Sequence, residues 1–572
     1  MESIQHSFGR SYRFLTIALA LFLLGALTKL ATPLAEWDYV SIDAASKWAQ
    51  GINQAWIFDH PPLYPAFLSI LFKCFGSSVV VVRLGNALSI LLAAFILFHT
   101  AKILFQKDAA IWATILYLIS PVCIQGVITM DVADTSLLPL AFVFTIYTII
   151  RNTLSPCFKN SALVAVGVSL CFWAKVTSSI ALVSALLGGV LILLMLEKHR
   201  TSRSWHVNLY GIIAGVLVFL ISWVTISLSL WGKEAFMAVF LAPGASLFSG
   251  QGELDVPLIA MQLIRHTLII MIWFSPYFVL TWLYSSWKLS GRNGTGSDQD
   301  KVVLLLIGVT LFYFIGYTLV GGTNWGFPRY HNAILPLLCL FSGVTVSRYI
   351  GEMNRKSYFI FSIALGFSII FILFWTNDPL YFFIFQMKEM LLFSAEDMGS
   401  LAVRALALFL PLYGLPIVMG VFVAYYTKWP KRRRIFITCL LLGSFSSIIS
   451  LNIQQIHASY RTSTEYGAIG KDEVIERVKE HVQPDDYVLA TPQFTYELRN
   501  QKIFSSGLKT WQSREQVFGF IEHNRPSVII AGLTVNTYEQ LNWLISEKDQ
   551  NILEEKYVLE RIGTYFLWLR KE

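Results

Sequence analysis

Runs of about 18–25 apolar residues, each closed by a short polar break, recur from Phe14 almost to Ile453. They predict spans near 14–32, 80–103, 109–127, 135–150, 161–174, 177–196, 208–230, 266–287, 302–320, 332–347, 357–375, 403–426 and 435–452, about thirteen in all. Several are short enough to need tilt or neighbours. The weakest signals are a break near Lys175 and an amphipathic stretch over 66–82. Beyond Ile453 the pattern changes. KDEVIERVKEHV (471–482), REQVFGFIEHN (514–524) and TYEQLNWLISEK (537–548) have helical spacing. DYVLAT (486–491) and PSVIIAG (526–532) read as short buried strands, and KYVLERI and TYFLWLR as a hairpin across Gly563. The fold class expected is a polytopic α-helical membrane protein, with a transmembrane domain over 1–452 and a soluble α/β accessory domain over 453–572.

Composition agrees. The 572 residues are 55% hydrophobic and 14% charged, which excludes an ordinary soluble protein. Orientation follows from Lys and Arg. With Arg10 and Arg13 inside, Lys102/Lys107, Lys198/Arg200/Arg203, Arg348/Arg355/Lys356 and Lys428/Lys431/Arg432/Arg433/Arg434 fall on the same face. An odd number of spans then puts the C-terminal tail outside. The first span has no small-residue cleavage site after it and reads as an anchor. The net charge of +8 is accounted for by this asymmetry, and no nucleic-acid partner is expected. The six cysteines show no CxxC, no zinc spacing and no disulfide framework. The tail has no GxGxxG loop and no nucleophile elbow.

Chemistry concentrates in the breaks on the predicted outer face. EWDYVSIDAASKWAQGINQAWIFDHPPLYP (36–65) follows the first span and reads as a long interfacial loop. Asp38 lies where water meets headgroups. It can take a proton from an attacking hydroxyl or amine, or simply solvate the start of the loop; Asp43 offers a second carboxylate. His60 stands before Pro61-Pro62 on a stiff extended turn, where an imidazole could hold phosphate. Asp131 and Asp134 in TMDVADTS are functional candidates as acids at a membrane boundary, and Asp134 could equally cap the next span. Lys175 interrupts CFWAKVTSS, against the inside bias; it could bind phosphate or snorkel. Arg329-Tyr330 in NWGFPRYHNAILP could pair with a phosphate oxygen or anchor among headgroups. The two acids could bind a divalent cation, but no ligand cluster is spelled out and no cofactor is certain.

The order of these elements resembles the GT-C glycosyltransferases of the protein O-mannosyltransferase and aminoarabinose-transferase type. The resemblance rests on Asp38 after the first span, the turn His60–Pro65 and Asp134 opening DTSLLPLAFVFTIY. It continues with Lys175-Val176-Thr177 and with Arg329, Tyr330 and Pro336. It covers residues 1 to about 350. It implies a GT-C fold and a polyprenyl-phosphate sugar donor. The acceptor would be a glycolipid, polysaccharide or protein, and the site would face outward from a bacterial inner membrane. The first-loop acid would be the base, and the basic groups would hold the donor phosphate. Many relatives carry an acidic pair at the first-loop position; here Asp38 is flanked by Trp37 and Tyr39, which leaves Asp38 and Asp43 as alternatives. Such a reaction inverts the anomeric carbon without a covalent sugar–enzyme intermediate. A transporter or flippase for a lipid-linked saccharide would also explain the spans. It would place its ionisable groups near midplane, and here they lie at one boundary.

Overall fold

The computed structural model describes residues 2–30, 38–52, 62–127, 136–196, 203–248, 267, 271, 274–290, 297–321, 328–375, 414–426, 432–458, 470–483, 486–490, 494, 497–498, 502–505, 514–532, 552–563 and 565–571. The helical part runs α1 (Glu2–Lys29), α2 (Asp38–Ala49), α3 (Leu63–Phe75), α4 (Val79–Leu104), α5 (Lys107–Leu118), α6 (Pro121–Gln125), α7 (Leu138–Leu154) and α8 (Phe158–Ala174). It continues with α9 (Val176–Leu196), α10 (Arg203–Phe248), α11 (Pro276–Ser290), α12 (Asp298–Gly321), a 3-10 turn (Pro328–Ile334), α13 (Leu335–Gly351), α14 (Arg355–Trp375), α15 (Gly414–Tyr426) and α16 (Arg432–Ala458). Among the described residues six of these helices are long and apolar enough to cross a membrane, and five shorter apolar ones join them. The chain is an integral membrane protein. Helices are the form that lets such segments satisfy every backbone group without water.

Three local features depart from the sequence pattern. The apolar run 109–127 is one stretch by composition but two helices in the fold, because Pro121 forces Ser120 into an extended conformation (ψ 131°) and opens α6. The stretch 66–82 is divided: α3 buries Tyr64, Pro65, Leu68 and Phe72 on one face and stops at Gly76, whose φ of 82° favours glycine. Its successor α4 starts afresh on Ser78, whose hydroxyl accepts the Val81 N–H at 3.2 Å. The stretch after the first span, read as a loop, carries the twelve-residue helix α2, with Ile42, Ala45 and Ser46 buried.

The bundle packs around α5, every residue of which from Ala109 to Leu118 is buried. Burying apolar surface does not drive helix association inside lipid, so close contact and hydroxyl pairs carry it. Gly343 on α13 approaches α5 so closely that a Cβ would sit 2.6 Å from the Ala113 nitrogen. Hydroxyls join α11 to its neighbours: Ser275 to Ser447 at 2.7 Å and Ser285 to Thr345 at 2.6 Å.

The C-terminal part holds α17 (Lys471–His481), β1 (Tyr487–Ala490), β2 (Lys502–Ser505), α18 (Arg514–Asn524), β3 (Val528–Gly532), β4 (Tyr557–Ile562) and β5 (Tyr565–Arg570). The sheet order is β2-β1-β3-β5-β4. The first three strands are parallel, and β5 is antiparallel to both β3 and β4. Alternation along the strands gives two cores. Val488, Val528, Ile530 and Leu567 meet Val474 and Val478 of α17 on one face. Leu489, Ile529, Phe566 and Trp568 meet Val517 and Ile521 of α18 on the other. The hairpin turns at Gly563 with φ 57°. The helix expected over 537–548 lies outside the described residues, and β2 has no counterpart in the sequence reading.

Candidate functional site

Lys175 is a single extended residue (φ −158°, ψ 114°) between α8 and α9. Its N–H closes α8 on the Cys171 carbonyl at 3.0 Å, and its own carbonyl accepts the Ser179 N–H at 3.2 Å, opening α9. Lys175 itself thus keeps both of its backbone hydrogen bonds across the break between the two helices. Lys175 is only 5% exposed. Withdrawing an ammonium from water costs several kcal/mol unless something compensates it, which makes such a residue a functional candidate.

The same end of the bundle gathers the other candidate segments. The 3-10 turn Pro328–Ile334 contains Arg329 and Tyr330 and packs against α7, α9 and α13. Its buried His331 lies edge-on to the Tyr313 ring at 5.8 Å, and Asn332 is fully buried. On the neighbouring side, Asn86 of α4 accepts the Tyr64 hydroxyl at 3.0 Å and donates to the Val127 carbonyl at 3.0 Å. Arg83 donates to that carbonyl at 3.5 Å and is itself fully buried. Helix α2 packs on α3, and its Ser46 accepts the hydroxyl of Ser77, in the link between α3 and α4, at 3.3 Å.

Asp38 is the first residue of α2, and Asp43 lies five positions on. Asp43 is 20% exposed and pairs with Lys47 at 2.6 Å. It is therefore engaged along its own helix instead of turned to solvent. The side chains of Asp38, Arg329 and Tyr330, and the whole of His60, Asp131 and Asp134, lie outside the described residues. Among the described residues no group of three His, Cys, Asp or Glu side chains forms a metal site.

Arg83, Asn86, Tyr64 and His331 were not singled out by the sequence reading. A signal existed for two of them: VVVVRLGNALS puts an arginine and an asparagine inside an apolar span. Two cavities lie elsewhere. An apolar groove of about 830 Å³ between α8 and α10 is lined by Phe158, Ala165, Tyr210 and Val218 and reaches Trp173, two residues from Lys175. A second, of about 220 Å³, lies among α1, α5, α14 and α16 and is lined by Phe22, Trp112, Phe361 and Phe445.

A family model described as dolichyl-phosphate-mannose-protein mannosyltransferase matches residues 59–223. That stretch includes the His60–Pro65 turn, Asp131, Asp134 and Lys175. No curated protein matches the chain. Among solved structures, ArnT from Cupriavidus metallidurans bound to undecaprenyl phosphate is 14% identical, with 98% of each chain covered and a TM-score of 0.61. The apo state of the same protein gives 13% identity, 98% coverage of each chain and a TM-score of 0.60. The oligosaccharyltransferase AglB from Archaeoglobus fulgidus is 11% identical over 98% of this chain and 75% of that one, with a TM-score of 0.46. The chain has the GT-C fold, the polytopic architecture of a superfamily of membrane glycosyltransferases.

Proposed function

We propose that this protein is a glycosyltransferase that moves a sugar from a polyprenyl-phosphate-linked donor to an acceptor, with inversion. The observation that carries the reading is the buried Lys175 at the break between α8 and α9, at the end of the bundle where the 3-10 turn bearing Arg329 packs. The GT-C fold, the partial match to a dolichyl-phosphate-mannose transferase model and the undecaprenyl phosphate in the ArnT structure support it.

In this reading the acceptor hydroxyl or amine attacks the anomeric carbon, and the bond to the lipid phosphate breaks with its electron pair leaving on the phosphate. Asp38, or in its place Asp43, takes the acceptor proton; Asp131 and Asp134 orient the acceptor or hold a divalent cation. Lys175, Arg329, Tyr330 and His60 stabilise the phosphate, which needs no strong acid to leave. The apolar groove that reaches Trp173 suits an isoprenoid chain. The transferred sugar is a hexose or pentose, and the acceptor is a glycolipid, polysaccharide or protein. The N-terminus would be cytoplasmic and the C-terminal region, from residue 453 on, extracytoplasmic at a bacterial inner membrane.

The test is transfer from a purified polyprenyl-phosphate sugar by the full chain in detergent, with reporter fusions after Arg434 and after Glu572. Donor-dependent glycosylation of an acceptor, with the fusions reporting inside and outside, is the expected result. Movement of a labelled lipid-linked saccharide across vesicles without any transfer would replace the reading with a flippase.

A further inference from the structure

The polar atoms around Val127 form a junction that the proposed reaction does not by itself require. The Val127 carbonyl can only accept. The Asn86 amide nitrogen must therefore face it, at 3.0 Å, which turns the amide oxygen toward Tyr64. The Tyr64 hydroxyl then donates to that oxygen, at 3.0 Å. The amide has one orientation, and both of its ends are used. Arg83 places a second donor on the same carbonyl. Tyr64 is 4% exposed and Arg83, Asn86 and Val127 are fully buried, so none of these bonds is exchanged for water.

What the junction joins gives it meaning. Tyr64 lies in the first turn of α3, four residues after His60 in the chain, and Val127 precedes Asp131 by four residues. In the chain the two partners of Asn86 are far from it, 22 residues away on one side and 41 on the other. One amide on α4 thus ties the first turn of α3, just after His60 in the chain, to Val127, just before Asp131. We propose that Asn86 is a positioning residue: it sets the spacing between the donor-phosphate side and the acidic side of the site, with Arg83 holding the shared carbonyl in place. This rests on the glycosyltransferase reading above. Reacting groups must be held to within a fraction of an ångström, and a misplacement of about 1 Å can cost 10²-fold in rate.

Two variants separate the two arms of the junction. Asn86→Asp keeps shape and still accepts from Tyr64, but cannot donate to Val127. Tyr64→Phe keeps the Val127 bond and removes the other. Each is expected to lower kcat about 10–100-fold with donor KM within about twofold, and the double variant is expected to lose no more than the worse single one. Asn152→Ala, in a buried network at the opposite end of α7, serves as a control matched for loss of thermal stability and keeps its turnover. A readout independent of activity is amide exchange, expected to rise together at the start of α3 and at residues 122–127 in both variants. Unchanged turnover per folded enzyme, additive losses, or exchange rising at only one of the two segments would overturn the proposal. If the wild-type protein transfers no sugar, the function reading fails, and the junction stands or falls on whether the two segments change exchange together.

Discussion

Two buried polar networks sit at opposite ends of the same helix bundle, and they differ in kind. Near the Arg434 end, the Asn152 amide donates to Asn208 at 2.8 Å, and Asn208 donates to Thr153 at 2.8 Å, tying α7 to α10. The Cys157 N–H caps the arrangement on the Asn152 oxygen at 3.4 Å. Every member is neutral and the network closes on itself. The Lys175 end instead withdraws two cations, Lys175 and Arg83, from water. Ions at the Arg434 end stay in solvent: Arg348 pairs with Glu352 at 3.3 Å with 56% and 42% of their side chains exposed. A neutral closed network specifies which helices meet. Withdrawing a cation from water costs far more than burying a neutral amide, so the Lys175 end is where function is expected.

The largest test of this contrast is the base. Asp38→Asn keeps shape and removes basicity; turnover is expected to fall about 10²-fold or more, with donor affinity little changed. Asp43→Asn is expected to be milder, because Asp43 is already paired with Lys47, and Asp134→Asn intermediate. A dead Asp43→Asn beside a near-normal Asp38→Asn would move the base to Asp43. Normal turnover in all three would end the carboxylate mechanism.

Next comes the cation itself. Lys175→Ala removes a charge-assisted contact worth on the order of 1.5–3 kcal/mol, so kcat/KM for the donor should fall about 10–150-fold. Arg329→Ala should behave alike. Arg434→Ala, at the other end and with 42% of its side chain exposed, should stay within about twofold. Equal effects of all three in a donor titration would erase the distinction between the two ends.

The Lys175 break was among the weakest signals in the sequence, and the structure places it between α8 and α9. The helices were legible, since apolar runs of about 18–25 residues fit a spanning helix and are too long for a spanning strand. The rest was hidden for identifiable reasons. The division of 109–127 depends on one proline inside an unbroken apolar run. Helix α2 looks like a loop because its apolar positions are few and interspersed with polar ones; among its described side chains Ile42, Ala45 and Ser46 are buried. Strand β2 is four residues long and gains its identity from pairing with β1. The Asn86 junction is tertiary: no local pattern connects it to Tyr64 or Val127, although Arg83 three residues earlier could have drawn attention to that turn of α4.

A smaller effect is expected from the neutral network. Asn152→Ala leaves the Asn208 amide short of a partner between α7 and α10. Hydrogen bonds between membrane helices average about 0.6 kcal/mol and reach about 1.7, so a modest drop in thermal stability is expected, with turnover per folded molecule unchanged. Loss of activity at matched folding would mean that the Arg434 end also serves the reaction.

The smallest effect should lie in the sheet region, where a charged pair is present but not withdrawn from water. Arg477 grips Glu560 with two hydrogen bonds, at 3.0 and 2.7 Å. Those bonds hold the Glu560 carboxyl below the usual carboxylate range; burial opposes them, and the charge of Arg477 adds a smaller lowering effect. A carboxylate whose pKa is lower in the folded state stabilises that state above its unfolded value of about 4.3, and the contribution disappears as pH falls through the lowered folded value. Arg477→Gln should therefore speed amide exchange in β4 slightly at neutral pH. The difference from wild type should shrink once the solution is acidic enough to protonate Glu560 in both proteins. Because the pair is exposed and screened by salt, the neutral-pH difference should also shrink with added salt, unlike the loss in Lys175→Ala. A difference that grew on acidification would give the pair the opposite sign and remove it as the solvent-exposed counterpart to the buried cations.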